Sequence, residues 1–115
     1  MNVKIYYAKE LPAFDPEPEK IDLAHIERTH VLLTDLNVTH LGEAYYRMQA
    51  EQWSPNGEAR ERLEQLGLKH TSMSVGDIAC VEGTFWMCVW NGWQALRPKP
   101  DSGSELDFAA VFEPF

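Results

Sequence analysis

The sequence predicts one small α+β domain, in which a mainly antiparallel sheet ends in a three-stranded meander and packs against two short helices. Three features support this fold class: an N-terminal run of β-branched and aromatic residues, two helical segments in the middle, and strand-like runs separated by turn residues towards the end. The chain has 115 residues, which is the usual length of a single domain. Its 44% of hydrophobic residues supplies enough apolar surface to offset the entropy lost on folding.

The N-terminal part of the chain is predicted to supply two strands and a loop. Residues 3–8 (VKIYYA) predict the first strand because β-branched and aromatic side chains fit a pleated sheet. Residues 11–20 hold several prolines, which lack the N–H that a strand ladder needs, and they predict a surface loop. Residues 21–28 form either a short helix or an extended lead-in to the second strand, which the sequence places at 29–36.

Two helices are predicted in the middle of the chain. Apolar residues at the i, i+3, i+4, i+7 spacing predict the first over 40–53, with Thr39 as its N-cap. A run of good helix formers predicts the second over 58–66. Gly67 then stands where a left-handed C-cap belongs, so a Schellman motif that includes Leu68 is expected.

The meander is predicted from two turn signals. Glu82-Gly83 separates strands at 77–81 and 84–90, and Asn91-Gly92 leads into the last strand at 93–96. If both loops have two residues, the strand register is fixed, because side chains alternate with period two. Both faces of the meander are then apolar, so both need cover.

The same register places three tryptophans, Trp86, Trp90 and Trp93, on one face. We expect the helices to cover the opposite face, and a further layer, the tail or a second protein chain to shield the indoles. The favoured interpretation is core filling, or cover by the C-terminal Phe108, Val111, Phe112 and Phe115, and a protein-binding or self-association surface is the functional alternative. Cys80 and Cys88 fall on opposite faces, so they are expected to stay unlinked thiols.

The charge of the chain is negative and unevenly placed. Ten basic and eighteen acidic residues give a formal charge of -8. Six of the acids lie within residues 10–27, and the last fifteen residues hold four acids and no base. Prolines, serines and a glycine follow the last predicted strand and mark a linker. We therefore predict one domain at 1–97 and an acidic-apolar tail at 98–115.

Composition also limits the classes of partner. Duplex nucleic acid is a disfavoured partner because the chain lacks clustered Lys and Arg to displace counterions from phosphates. No apolar run approaches the length of a membrane span, and residues 1–4 do not read as a secretory signal, so no membrane partner and a cytoplasmic location are expected. A protein partner or self-association remains as the expected kind of contact.

No residue grouping demands a particular chemistry. The four histidines show no metal-ligand spacing with each other or with cysteine, and the glycines stand alone rather than in a phosphate-binding loop. We therefore expect no metal and no organic cofactor. The histidines are His25, His30, His40 and His70.

One segment, HTSMSVGD, offers an alternative reading as a small cofactor-free enzyme. It contains the residue types of a nucleophile, a base and an orienting acid, at His70, Ser72, Ser74 and Asp77. In an extended segment neighbours point to opposite sides, so closeness in sequence does not make a triad. The favoured interpretation is that the hydroxyls satisfy backbone groups in a tight connection between helix and sheet.

Two further residues are candidates for binding. In the segment WSPNGEAR, turn and capping roles account for the serine, proline, asparagine and glycine. Trp53 and Arg60 are left without an assigned structural task, which makes them candidate binding residues.

The segment 72–77 (SMSVGD), followed by strands and the Gly92-Trp93 pair, resembles the YodL-like family of small proteins found in phages, plasmids and their bacterial hosts. The similarity covers about residues 29–96. The chain departs from the family at Gly76, where a serine is common, and in the inserted turn and helix at 53–68. The resemblance implies an accessory protein of a mobile genetic element, linked to host defence or its evasion, and it carries no activity over to particular residues. The leading hypothesis is therefore a non-catalytic protein-interaction module.

Overall fold

The computed structural model describes residues 1–12, 16–96 and 112–114 and confirms the α+β class. Its sheet has six strands in the order β2-β1-β3-β4-β5-β6, and every neighbouring pair is antiparallel. The strands are β1 (Asn2–Ala8), β2 (His30–Asn37), β3 (Ile78–Val81), β4 (Thr84–Val89), β5 (Gly92–Leu96) and β6 (Phe112–Pro114). The helices are α1 (Leu41–Arg47), α2 (Ala50–Trp53) and α3 (Arg60–Gln65), with 3₁₀ turns at Pro18–Lys20 and Leu23–Arg28.

Strand β1 is central to the fold because it pairs with both β2 and β3. Its alternate residues Val3, Ile5 and Tyr7 are fully buried, as expected for one face of a pleated strand that is covered by helices. A bulge in the β1–β2 pairing leaves Leu33 as an extra residue of β2. Its carbonyl accepts two hydrogen bonds from the guanidinium of Arg62, at 2.7 and 3.2 Å. The bulge and the cation protect this edge strand against pairing with another chain.

The first predicted helix, 40–53, is divided into α1 and α2. The break lies at Gln49, whose backbone is extended (φ -74°, ψ 143°). Contacts from the distant segment 71–74 explain the break, because the Met48 carbonyl accepts the Met73 N–H at 3.1 Å and the Ala50 N–H donates to the Ser72 hydroxyl at 2.9 Å. Tertiary hydrogen bonds thus replace the helical ones.

The predicted N-cap, Thr39, is wrong by one residue. His40 occupies the N-cap position, and its Nδ1 accepts the backbone N–H of Glu43 at 3.2 Å. The Glu43 carboxylate in turn accepts the backbone N–H of Thr39 at 2.6 Å, so Thr39 still belongs to the capping arrangement. The hydrogen bonds from the Thr39 N–H and the Thr39 hydroxyl lower the pKa of the Glu43 carboxyl.

The end of the second predicted helix is confirmed. Helix α3 closes in a Schellman motif, in which the Leu68 N–H donates to the Leu63 carbonyl at 2.8 Å and the Gly67 N–H donates to the Glu64 carbonyl at 3.1 Å. Gly67 has the left-handed backbone that this motif requires (φ 72°). Leu63 and Leu68 both lie in the main hydrophobic core, so the helix ending also brings apolar side chains together.

The first turn of the meander has the predicted register, with Val81 opposite Thr84. The predicted register of the second turn is wrong. Val89, rather than Trp90, is the last paired residue of β4, and it lies opposite Gly92. The loop is therefore Trp90-Asn91. A shift by two positions preserves the alternation of faces, but it moves Trp90 out of the strand and into the turn, where 68% of its surface is exposed.

The helices cover the tryptophan face, contrary to expectation. Trp93 is completely buried in the core that the helices form with β1, and Trp86 packs against the same core. These two indoles fill the core and need no other shield. The opposite face is covered by the 3₁₀ turn at 23–28 through Leu23 and Ile26. Its buried sheet residues are Ile78, Met87 and Leu96.

Only part of the predicted tail lies within the described residues. The predicted linker from residue 98 falls outside them, as do residues 13–15 of the predicted proline-rich loop. Phe112–Pro114 pairs with β5 at the edge of the sheet, and all three of these residues are exposed.

Cys80 and Cys88 are free thiols. In the described part of the chain, no helix has the length and apolarity that a membrane crossing requires.

Truncation of the two tryptophans of this hairpin should lower the stability to very different extents. We expect Trp93→Ala to lower the free energy of unfolding by about 3–5 kcal/mol because it leaves a large cavity in the core. Trp90→Ala removes a side chain that is mostly exposed, so we expect a change of less than about 1 kcal/mol. Urea denaturation followed by circular dichroism measures both, and equal losses would contradict the assignment of Trp90 to the surface.

Candidate functional site

The segment His70–Asp77 connects α3 to β3, and its acid is its most buried member. The Asp77 side chain is fully buried, and its carboxylate accepts three N–H groups. They come from the Ala8 backbone at 2.7 Å, the Ser74 backbone at 2.8 Å and Nε2 of His70 at 2.8 Å. A buried carboxylate is stable only when its oxygens are hydrogen-bonded in this way.

His70 lies between this carboxylate and a tyrosine of β1. Its ring stacks on that of Tyr7, with centroids 4.5 Å apart and planes inclined by 13°. Only 13% of the His70 side chain is exposed. The Tyr7 hydroxyl donates to the Thr71 carbonyl at 2.7 Å. Burial, assisted by the negative charge of Asp77, raises the pKa of Tyr7 far above its ordinary value, so the phenol stays protonated as a hydrogen-bond donor.

The two serines of the segment bond to the backbone instead of joining His70. The Ser72 hydroxyl accepts the Ala50 N–H at 2.9 Å, and the Ser74 hydroxyl donates to the Ser72 carbonyl at 3.0 Å. The structure therefore brings His70 and Asp77 together and leaves both hydroxyls outside this pair. Within the described residues, the arrangement lacks the nucleophile-to-base hydrogen bond of a catalytic triad.

A second histidine, His30, is buried on the other side of the same connection. Its Nε2 lies 2.8 Å from the Gly76 carbonyl, and its Nδ1 lies 2.8 Å from the Thr29 hydroxyl. A carbonyl oxygen only accepts, so Nε2 carries the proton and Nδ1 of the neutral ring accepts from Thr29. Burial lowers the pKa of His30 below its ordinary value of 6.5, although the hydrogen bond to Gly76 and the charge of Asp77 act in the opposite direction.

Cys88 is the thiol nearest to this group, and it is not a nucleophile. It is buried, and burial together with the negative charge of Asp77 raises the pKa of its thiol from 9.0 to about 12. A thiol with so high a pKa holds its proton at neutral pH, whereas reactive cysteines have lowered values. Its backbone has a structural role, because the Cys88 N–H donates to the Asp77 carbonyl at 2.8 Å and its carbonyl accepts the Gly76 N–H at 2.9 Å.

The two candidate binding residues of the inserted turn and helix lie in different environments. Trp53 is half-buried, and its Nε1–H donates to the Thr71 carbonyl at 3.0 Å, so its role is structural. Its ring meets Tyr7 edge-on, with centroids 6.4 Å apart. Arg60 is exposed and lines a cleft of about 280 Å³ together with Lys69. Lys69 forms an ion pair with Glu10 at 3.0 Å, so the cations of the cleft rim are partly neutralised.

The three tryptophans of the predicted binding face are separated by the structure into two groups. Trp86 and Trp93 belong to the core, whereas Trp90 projects from the β4–β5 turn. Gly92, two residues further on, lies opposite Pro114 of β6. Phe112 of the same strand is also exposed, to 41%. We use the name aromatic corner for three exposed residues, Trp90 in the β4–β5 turn and Phe112 and Pro114 on the strand that pairs with β5.

Comparison of the chain with family models, with curated proteins and with solved structures gives no match. The relationship to the YodL-like family therefore stays a prediction. Residues 1–12, 16–96 and 112–114 also contain no cluster of His, Cys, Asp or Glu that could hold a metal ion. The function has to be argued from the buried polar group and the aromatic corner.

Several members of the buried group could not be identified from local sequence. Period-two alternation in β1 marks Tyr7 as inward-facing, but nothing near it indicates a stack on His70. His30 and Cys88 likewise meet the connection only through strand pairing. One signal is present in the sequence, because Asp77 stands directly before the apolar strand β3. When such a strand is buried, the carboxylate beside it needs hydrogen-bond donors.

Replacing the buried carboxylate by an amide should destabilise the fold. In Asp77→Asn the amide nitrogen faces at least one N–H donor, and leaving a buried donor unsatisfied costs about 1–3 kcal/mol. Asp35→Asn is the matched control, because Asp35 is exposed and its ion pair with Lys4 at 3.4 Å lies on the surface; its effect should stay within about 1 kcal/mol. Thermal and urea unfolding measure both variants. A full-stability Asp77→Asn variant would show that the carboxylate does not hold the connection.

The lowered pKa of His30 predicts a loss of stability in mild acid. As the pH falls below 6.5, the unfolded chain binds a proton at this histidine before the folded chain does. Stability is therefore present above this pH and decreases as the pH falls towards the lower folded-state pKa. Urea midpoints between pH of about 7.5 and about 5.5 measure the slope. His30→Gln should flatten it, and a variant that keeps the full wild-type slope would contradict this origin of the pH dependence.

Proposed function

We propose that the protein is a non-catalytic protein-interaction module and that it binds its partner through the aromatic corner. The observation that carries the proposal is the exposure of Trp90, which leaves 68% of a large indole in solvent at the tip of a rigid hairpin. Tryptophan is strongly enriched among the residues that dominate binding energy in protein interfaces. A two-residue turn between paired strands fixes the backbone that carries the indole, so the backbone needs no further ordering on binding.

The buried polar group supports a non-catalytic function. An enzyme needs a nucleophile or a base that reaches a substrate, and here the Asp77 carboxylate is occupied by three N–H donors in a site without solvent exposure. The hydroxyls of Ser72 and Ser74 are bonded to backbone groups of α2 and of the segment itself. These residues are accounted for by the connection that they build.

The chemistry of the aromatic corner suggests the kind of partner. The apolar rings of Trp90 and Phe112 fit an apolar pocket on another protein, and the exposed Glu113 lies between Phe112 and Pro114. The whole chain has a net charge of -8. Complementary charge raises the association rate and suppresses wrong partners. We therefore propose a partner protein whose apolar pocket is rimmed by Lys and Arg.

The biological setting follows from the resemblance to the YodL-like family. On that basis we propose an accessory protein of a mobile genetic element, and a host protein of a defence system as the target. A small acidic module that binds one host protein through a single corner is compatible with this setting. The small-enzyme alternative, around His70, Ser72, Ser74 and Asp77, is supported only by the contact between His70 and Asp77.

The test compares the affinities of two variants for the partner, each of which lacks one exposed aromatic ring at a different place on the surface. The partner is first captured from a lysate of the native host with the wild-type chain and is then purified. Titration calorimetry follows with the wild type, Trp90→Ala and Tyr46→Ala. Tyr46 is the matched control because it is 59% exposed but lies on α1, away from the aromatic corner. We expect Trp90→Ala to weaken binding at least tenfold, which corresponds to the loss of about 1.4 kcal/mol.

Two further measurements make the experiment decisive. Affinity of the wild type should fall with rising salt if basic residues of the partner meet the acidic chain. Both variants should keep the wild-type circular dichroism spectrum. The proposal is refuted if Trp90→Ala binds the purified partner as tightly as the wild type, or if Tyr46→Ala is weakened to the same extent.

A further inference from the structure

A cleft beside helix α3 has polar groups that neither the fold nor the proposed function uses. It is lined by residues of α2, of the turn that follows α2, of α3 and of the segment after α3. Its volume of about 280 Å³ gives room for roughly nine groups of the size of a water molecule, at ~30 Å³ each. The cleft is therefore large enough for a small molecule of a few carbon atoms.

Arg60 places a positive charge in this cleft. Its guanidinium lies over the preceding turn, because a Cβ atom placed on Gly57 would be 3.7 Å from Nη2 of Arg60, and both residues line the cleft. Within the described part of the chain, the guanidinium forms no ion pair and no hydrogen bond. The planar fork of N–H donors is therefore available, and it matches the two oxygens of a carboxylate.

Ser54 supplies a second observation that does not depend on charge. This residue lines the cleft, but only 7% of its surface is exposed. Its hydroxyl oxygen accepts the Ala59 N–H at 2.9 Å, which fixes the position of the oxygen. Among residues 1–12, 16–96 and 112–114, no acceptor is found for the hydrogen of this hydroxyl. A buried donor without an acceptor is costly, so an oxygen atom of a ligand in the cleft would satisfy it.

The segment after α3 forms the other side of the cleft. Lys69 and Thr71 line it, whereas His70 between them points inward to the buried carboxylate. The Thr71 carbonyl accepts the Tyr7 hydroxyl at 2.7 Å and the Trp53 Nε1–H at 3.0 Å. These two hydrogen bonds hold the backbone of Thr71 against the core. The cleft is thus ordered before a ligand arrives, which lowers the entropic cost of binding.

We propose that this cleft binds a small organic monocarboxylate, that is, a short hydrocarbon chain with one carboxylate group. The carboxylate pairs with the Arg60 guanidinium and accepts further hydrogen bonds from the hydroxyls of Ser54 and Thr71. Leu63 and Leu68 also line the cleft and supply apolar contacts for the hydrocarbon chain. This site goes beyond the proposed function, because it does not involve the aromatic corner.

The charges of the lining favour a ligand with a single negative charge. The lining includes two cations, Arg60 and Lys69, and one acid, Glu64, which leaves one net positive charge. Lys69 is shared with Glu10, whose carboxylate lies 3.0 Å from its Nζ. A second negative charge on the ligand, as on phosphate, is opposed by Glu64. We therefore expect inorganic phosphate to bind more weakly than a carboxylate.

Titration of the full chain with sodium butyrate, followed by nuclear magnetic resonance at constant ionic strength, tests the site. We expect saturable shifts of the amide signals of the cleft and of the methyl signals of Leu63 and Leu68, with a Kd on the order of 1 mM for so small a ligand. Butan-1-ol, which lacks the charge, and inorganic phosphate should each bind at least tenfold more weakly. Absence of saturable shifts, or equally tight binding of phosphate, would overturn the proposal.

Three variants then assign the binding to the proposed groups. Arg60→Gln should weaken butyrate binding at least tenfold, because it removes the charged partner of the carboxylate. Arg28→Gln is the matched control, since it removes an equal charge at an exposed position outside the lining, and it should bind as the wild type does. Thr71→Val, which removes a hydroxyl and keeps the shape, should weaken binding about fivefold.

Each variant should keep the dispersed spectrum of the folded chain. If Arg60→Gln alters the fold, Thr71→Val still tests the same site. The proposal is wrong if folded Arg60→Gln binds butyrate like the wild type. Equal weakening by Arg28→Gln would also overturn it, because the binding would then reflect a general attraction of anions to cations.

Discussion

The buried carboxylate of Asp77 is the interaction on which the arrangement of the fold depends. It accepts the N–H of Ala8 at the end of β1 and the Nε2 of His70 after α3, while the Asp77 carbonyl accepts the N–H of Cys88 in β4. One residue therefore ties the N-terminal strand, the helical segment and the meander together. The Ala8 N–H, the Ser74 N–H and the Nε2–H of His70 would be unsatisfied donors without the carboxylate, so the position is intolerant of a side chain that cannot accept hydrogen bonds.

This constraint also bears on the function that we propose. The side chains with the most reactive functional groups are His70, Asp77 and Cys88. His70 and Asp77 are hydrogen-bonded to each other, and the thiol of Cys88 is buried and has a pKa raised to about 12. A buried polar group that is fully satisfied gives the core a unique arrangement, but it offers nothing to a substrate. On the surface, Trp90 is the most exposed large aromatic side chain in the described part of the chain. These two observations are the basis on which we propose a function by contact rather than by chemistry.

Sequence reasoning was successful where the determining contacts are local. The Schellman motif at Gly67 and the turn at Glu82-Gly83 depend on residues a few positions apart, and both were predicted. The contact between Ala8 and Asp77 spans 69 residues, so no local pattern could reveal it. The second turn shows the same limit. Asn91-Gly92 is a strong hairpin signal by itself, but Gly92 is the first residue of β5 and pairs with both Val89 and Pro114, so the loop lies one residue earlier, at Trp90-Asn91. The tryptophan surface was misassigned for this reason, since the shift moves Trp90 away from Trp86 and Trp93.

A comparison of the two edges of the sheet indicates what the C-terminal strand β6 contributes. At β2 the open edge is protected within the domain, by the bulge at Leu33 and the guanidinium of Arg62. At β5 no such device is present among the described residues, and an uncovered Gly92 would leave a bare backbone open to any extended chain. A strand that ends in Pro114 closes this edge, because proline cannot extend the ladder. Among the described residues β6 of the same chain covers this edge, so Gly92 pairs with Val89 of β4 on one side and with Pro114 of β6 on the other.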